Sequence, residues 1–91
     1  MSRTFRAVAM ERGPAGDTLF VRITETPSLV FRLLGYDPIV REASYHGSGT
    51  VWHRLPGYVR CPSWLESILA DEWGRLRYEA EQGRPMRGRG A

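Results

Sequence analysis

Lysine and asparagine are both missing from this 91-residue chain, and cysteine occurs once. All thirteen basic residues are therefore arginine. That usage fits the codon bias of a GC-rich genome, and it removes lysine-based covalent catalysis, such as a Schiff base, from the chemistry open to the protein. The lone Cys61 has no partner for an internal disulfide, which fits a reducing compartment. No apolar run approaches the ~20 residues of a membrane span, and the opening MSRTFRAVAMER lacks the apolar stretch of a signal peptide. The expectation is a cytoplasmic protein that does not engage a membrane.

What is present is enough for one modest core. Hydrophobic residues make up 42% of the chain, and there are three Trp, four Tyr and three Phe. Charge is unevenly spread. Residues 1–60 hold eight Arg against five acids, residues 61–83 two Arg against five acids, and residues 84–91 three Arg and no acid. A basic first part, an acidic segment and a basic end can attract one another or face different partners.

The stretch SWLESILADEWGRLRYEAEQ, residues 63–82, is the best-marked element. Pro62 precludes helix upstream, and Ser63 with Glu66 three residues later reads as a capping box. Gly83 and Pro85 mark the stop. Leu65, Ile68, Leu69, Trp73, Leu76 and Ala80 recur at spacings of three and four, an apolar stripe that must cover something. Glu72 falls at the edge of that stripe, where a sheet arginine (Arg22, Arg41 or Arg54) is its expected partner, since a lone buried acid is costly.

Upstream, two hairpins are legible. Residues 4–12 and 18–25 flank the turn GPAGD, and residues 39–46 and 50–55 flank Gly47-Ser48-Gly49. With Ser48 and Gly49 central, Tyr45 faces Trp52, Ser44 faces His53, and His46 lies diagonal to His53. Thr26-Pro27 reads as cap and first position of a short helix near 28–34 ended by Gly35, with a buried strand as the rival reading. The order β-β-α-β-β-α predicts a small α+β domain over residues 1–83. A four-stranded antiparallel sheet is covered on one face by the long helix, the short helix closes one end, and the Gly/Arg-rich tail 84–91 is disordered. The predicted core is Leu19, Val21, Ile23, Leu33, Leu65, Leu69, Trp73 and Leu76.

Several constellations bear on function. GSGT at 47–50 superficially resembles a phosphate-gripping loop, but a strand follows where such a loop needs a helix. Ser44, His46 and His53 share one hairpin and could serve as nucleophile and base or as metal ligands, though no carboxylate is placed to orient a histidine. Cys61 precedes a helix N-terminus but carries no catalytic signature, so a buried small residue is expected. Trp64, Asp71 and Tyr78 repeat every seven residues with Arg75 beside them, forming a second stripe on the long helix away from the core. Large aromatics on such a face suit a partner-binding ridge.

The leading expectation is thus a non-catalytic, regulatory protein-binding module without cofactor or metal. It would be an accessory subunit or inhibitor-like protein, using Trp64, Asp71, Arg75 and Tyr78 against a protein partner or a second copy of itself. The alternative is nucleic-acid binding through Arg22, Arg41, Arg54, Arg84, Arg87 and Arg89.

Overall fold

The computed structural model describes residues 2–90, with side chains described for 2–82. It is an α+β fold with an antiparallel sheet and a C-terminal helix. In chain order the elements are β1 (Ser2–Glu11), β2 (Asp17–Thr26), α1 (Leu29–Leu33), β3 (Ile39–Ser48), β4 (Val51–Leu55), β5 (Val59–Arg60) and α2 (Ser63–Gly90). The five strands lie side by side in sequence order, each antiparallel to the next. The fifth strand, two residues long, was not expected. It arises because the turn after β4 brings Val59 and Arg60 back against Arg54 and His53. α2 runs through Gly83 and Pro85, where the sequence predicts its stop, and on to Gly90, and the side chains of the tail, with Arg84, Arg87 and Arg89, lie outside those described. No helix among the described residues is long and apolar enough to cross a membrane.

Alternation along the strands decides which face α2 covers. Ala7, Leu19, Val21, Tyr45 and Trp52 point to one side and meet Leu65 and Leu69. Phe5, Met10, Ile23, Ala43, Trp73 and Leu76 pack around them. Trp52 is fully buried, edge-on to Trp73 with ring centroids 6.3 Å apart, and its Nε1 donates to the Gly49 carbonyl at 2.9 Å. Trp73 Nε1 in turn donates to Asp17 at 2.7 Å. Both large indoles are thereby satisfied in the core, as buried Trp requires.

The β3–β4 register differs from the expected one by two residues. The turn is centred on Gly49-Thr50, and the pairs are Ser44 with Leu55, Tyr45 with Arg54, His46 with His53, and Gly47 with Trp52. Gly49 has φ 65°, the positive value that the first central residue of a two-residue II′ turn needs. Gly47 is also required where it sits, because a Cβ there would come within 2.9 Å of Trp52 Cα and of its ring. A slip of two keeps every side chain on its expected face, so only the partners change.

Glu66 does not close a capping box with Ser63. The Pro62 carbonyl accepts from the Leu65 and Glu66 amides, so Pro62 rather than Ser63 stands at the N-cap of α2, and the Glu66 carboxylate turns to the sheet. It accepts the Trp52 N–H at 3.0 Å and pairs with Arg60 at 2.6 Å. Arg60 holds the Glu66 carboxyl below its usual range, and the Trp52 amide adds to this. Glu72 likewise takes no partner from Arg22, Arg41 or Arg54. It accepts the Ala7 N–H at 2.9 Å and pairs with Arg75 at 2.9 Å, while Arg75 donates to the Ala7 carbonyl at 2.7 Å. The two side chains occupy the outer edge of β1 as a neighbouring strand would. They do so next to a register shift between Ala7 and Ala9.

Candidate functional site

Three surfaces remain once the core is assembled: the arm tip at α1, a groove beside the start of α2, and the uncovered face of the sheet.

The arm is the extension of β2 and β3 beyond their central pairs, and α1 caps it. The helix is built by its ends. Its N-cap is Ser28 rather than Thr26, which remains the last residue of β2. At the other end the Tyr36 amide donates to the Phe31 carbonyl at 3.1 Å and the Gly35 amide to the Arg32 carbonyl at 3.0 Å. With Gly35 at φ 97°, this is a Schellman closure. Phe31 and Tyr36 complete it with an edge-to-face contact, centroids 5.6 Å apart. The helix is as expected, but its placement is not. It buries none of its residues, and Leu33, expected in the core, is 78% exposed. The reason is reach: the ten-residue β2 runs on past Ile23, where the first turn of α2 crosses the sheet, and carries α1 beyond the core. Leu29, Val30, Leu34, Tyr36, Ile39 and Val40 are all more than half exposed as well.

The groove, about 450 Å³, lies where the start of α2 overhangs the sheet. Phe5, Ile23, Val59, Trp64 and Leu65 give it apolar walls, and Arg3, Arg41, Arg54 and Arg60 with Glu25 and Glu42 give it charge of both signs. Trp64 is 54% exposed and meets Phe5 edge-on at 5.8 Å. Arg41 and Arg3 both reach the Glu25 carboxylate, at 2.8 and 3.0 Å, and hold it below the usual carboxylate range, Arg41 foremost. Tyr45 forms part of the groove lining, and burial raises its phenol above the usual value. Cys61, 6% exposed as expected, is also pushed up by burial, with the Glu66 charge adding to the effect. It is the opposite of an activated thiolate.

On the uncovered face, His46 lies directly opposite His53 rather than diagonal to it. Thr18 Oγ1 and His46 Nδ1 are 3.1 Å apart. The Tyr58 ring stacks on His53 at 4.3 Å, held by a backbone with φ 56°, a conformation uncommon for a non-glycine residue. Ser44 pairs with Phe20 and Leu55, beside a separate small cavity of about 100 Å³. Neither of the two cavities is lined by a histidine. No group of three metal-ligating side chains occurs among the described residues.

The remaining expected site residues are divided. Trp64 and Tyr78 are exposed, at 54% and 63%, and so is Asp71. Arg75 turns inward to Glu72, Glu79 and the Ala7 carbonyl. Among the sheet arginines, Arg41 and Arg54 share the groove, while Arg22 points to the other face, two residues from Phe20. The arm tip itself was not read as a site. Its signal was present, since Leu29, Val30, Phe31, Leu33 and Leu34 are apolar on every side of a helix too short to bury them all. Comparison with protein families, with curated proteins and with solved structures finds no match to this chain, so the residues and their geometry alone carry the functional reading.

Proposed function

We propose that this protein is a non-catalytic protein-binding module, and that its main contact surface is the arm tip, residues 29–40. The exposed apolar patch there carries the reading. Its large side chains run from 49% exposed at Phe31 to 78% at Leu33. Summed all round the tip, the eight present on the order of 900 Å²; Ile39 and Val40 point to opposite faces of β3 and α1 is apolar on every side, so one face of the tip offers roughly half of that. One face thus matches the largest patch on an ordinary monomer, about 300–600 Å², and a stable interface, at about 800 Å² from each partner, would take in most of the tip. The Schellman closure fixes the patch in shape, which lowers the ordering cost of binding.

The partner that fits best is a second copy of the chain. Residues 29–40 contain two charges, Arg32 and Asp37. Opposite signs on one patch are self-complementary under two-fold symmetry, so Arg32 of each copy can meet Asp37 of the other around an apolar centre. The outer side of α2, with Asp71 and Tyr78, then remains open for another protein, while Trp64 lines the groove against Phe5.

Sedimentation velocity across a concentration series tests this. The wild-type chain should move from monomer to dimer as concentration rises. Leu33→Glu with Leu34→Glu should stay monomeric and keep the wild-type melting temperature, because neither side chain touches the core. A wild-type chain that remains monomeric throughout, or a double variant that still dimerises, would overturn the proposal.

A further inference from the structure

The sheet keeps one open stretch of backbone. β4 covers only the second half of β3, from Ser44 opposite Leu55 to Ser48 opposite Val51. The chain then turns away through Gly57, at φ 92°, and Tyr58 folds back over His53. Residues 39–43 therefore pair with β2 on one side and with no strand among the described residues on the other. Trp52 shows which of their groups are open. Its N–H donates to Glu66 and its carbonyl accepts from Cys61, so both point away from β3. Direction alternates along an antiparallel ladder, so His53 and Leu55 bond to His46 and Ser44, and the next residues of β3 facing that way are Glu42 and Val40. No hydrogen bond among the described residues takes their N–H or C=O groups. The other edges are guarded. On β1, Glu72 and Arg75 hold Ala7, and Trp64 rests on Phe5. β5 is only two residues long.

Charge at the open edge is sorted by face. Arg54 lies on the groove side, exposed, with no carboxylate within ion-pairing distance among the described residues. Glu42 alternates with Arg41 and Ala43, so its side chain points to the opposite face, where it too is exposed and has no ion-pair partner among the described residues. We propose that this edge accepts an extended peptide of a protein partner as an added antiparallel strand, with an acidic side chain toward Arg54 on the groove side and a basic one toward Glu42 on the far side. The donors and acceptors of Val40 and Glu42 hold its backbone, and the alternating side chains select it. The residue set opposite Ala43 points into the groove, where the small Ala43 side chain leaves room, and it follows Arg54 by two places on the line that β4 began. A second copy of the chain does not fit this edge. Pairing about Arg41 would set Arg41 opposite Arg41, and pairing about Glu42 would set Glu42 opposite Glu42, like charges that destabilise a sheet. Pairing about Val40 would need the N–H that Pro38 lacks. The site uses a backbone edge rather than the exposed side chains of the arm tip, and it stands whether or not the dimer forms there.

The test uses a blocked threonine–valine peptide carrying one Glu and an adjacent Lys, added to the full-length protein at one dilute concentration. Amide exchange should show protection gained at Val40 and Glu42 and none gained along β1. Two further peptides, N-methylated on alternate residues, decide the mode of binding. The one whose methyl groups meet the edge should bind roughly 2- to 12-fold more weakly for each hydrogen bond lost, and the other should bind as the parent does. Arg54→Glu should weaken binding by up to about fivefold for the pair it breaks, and exchanging the peptide's Glu for Lys should restore it. The N-methylated peptides leave the protein unchanged, so they hold the test open if that variant fails to fold. The Leu33→Glu, Leu34→Glu double variant should bind the peptide as the wild type does, which separates failure at this edge from failure at the tip. No binding at millimolar peptide, equal binding by the two N-methylated peptides, or protection on β1 in place of Val40 and Glu42 would overturn the proposal.

Discussion

Removing the carboxylate of Glu72 should loosen the edge of the sheet and the seat of α2 together. Glu72→Ala takes away the acceptor of the Ala7 N–H and the nearest anion to Arg75. Burial alone would push the Glu72 carboxyl up, but Arg75 and the Ala7 amide outweigh it and hold the group below its usual range, so the charged form is the stabilising one. A charge-assisted hydrogen bond in a partly buried place is worth about 2 kcal/mol, against a total stability of about 5–15 kcal/mol. For a domain of this size, each kcal/mol moves the melting temperature by about 4–8 °C, so the loss should be roughly 8–16 °C. Glu72→Gln keeps an acceptor for Ala7 and forfeits the ion pair, so it should fall between the two. Arg75→Ala added to Glu72→Ala should cost little more, because the members of one clamp are not additive. Thermal melts followed by circular dichroism at neutral pH give these numbers, and exchange of the Ala7 amide reports the local opening. A Glu72→Ala protein that melts with the wild type, its Ala7 amide equally protected, would refute the clamp.

Two other predictions concern the core and acid. Leu69→Ala, at a fully buried position between α2 and the sheet, should cost about 2–5 kcal/mol in a denaturant titration. The carboxyls of Glu25, Glu66 and Glu72 all lie below the ordinary value of 4.5 in the folded protein. The unfolded chain therefore binds protons more readily, and their contribution is fully present above pH 4.5 and disappears as pH falls below it. Melting temperature should hold steady down to that region and then decline, and Glu66→Gln should make the decline shallower.

The sequence was most legible where local chemistry and global packing agree. The stripe Leu65, Leu69, Trp73, Leu76 identified both α2 and the face that meets the sheet. Alternation through Leu19, Val21 and Ile23 identified the inner face of β2. Gly35 marked the end of α1 because only a left-handed residue completes that cap. Partners across the fold were harder. Glu72 was expected on a sheet arginine, but the i,i+3 neighbour Arg75 was closer, and the edge of β1 supplied backbone groups that no side-chain pattern announces. The β3–β4 register turned on whether Gly47 or Ser48 begins the turn. The need for an open place beside Trp52 decided it, and that need exists only once Trp52 is known to be buried. Leu33 was placed in the core by its hydrophobicity alone. Its exposure follows from where α2 begins on the sheet, with Trp64 at Phe5 and short of the end of β2, a property of the assembled domain. For the same reason Tyr45, Arg54 and Trp64, distant in sequence, share a groove that periodicity does not reveal.

The arm tip as a contact surface is the claim on which the functional account stands, and hydrogen exchange measured at low and high protein concentration tests it most directly. Amides in residues 29–38 should exchange freely when dilute, since α1 is short and buries nothing, and should gain protection as concentration rises. Residues 63–82 should show no such change. Exchange in 29–38 that is indifferent to concentration, or protection that grows on the outer side of α2 around Asp71 and Tyr78 instead, would contradict it.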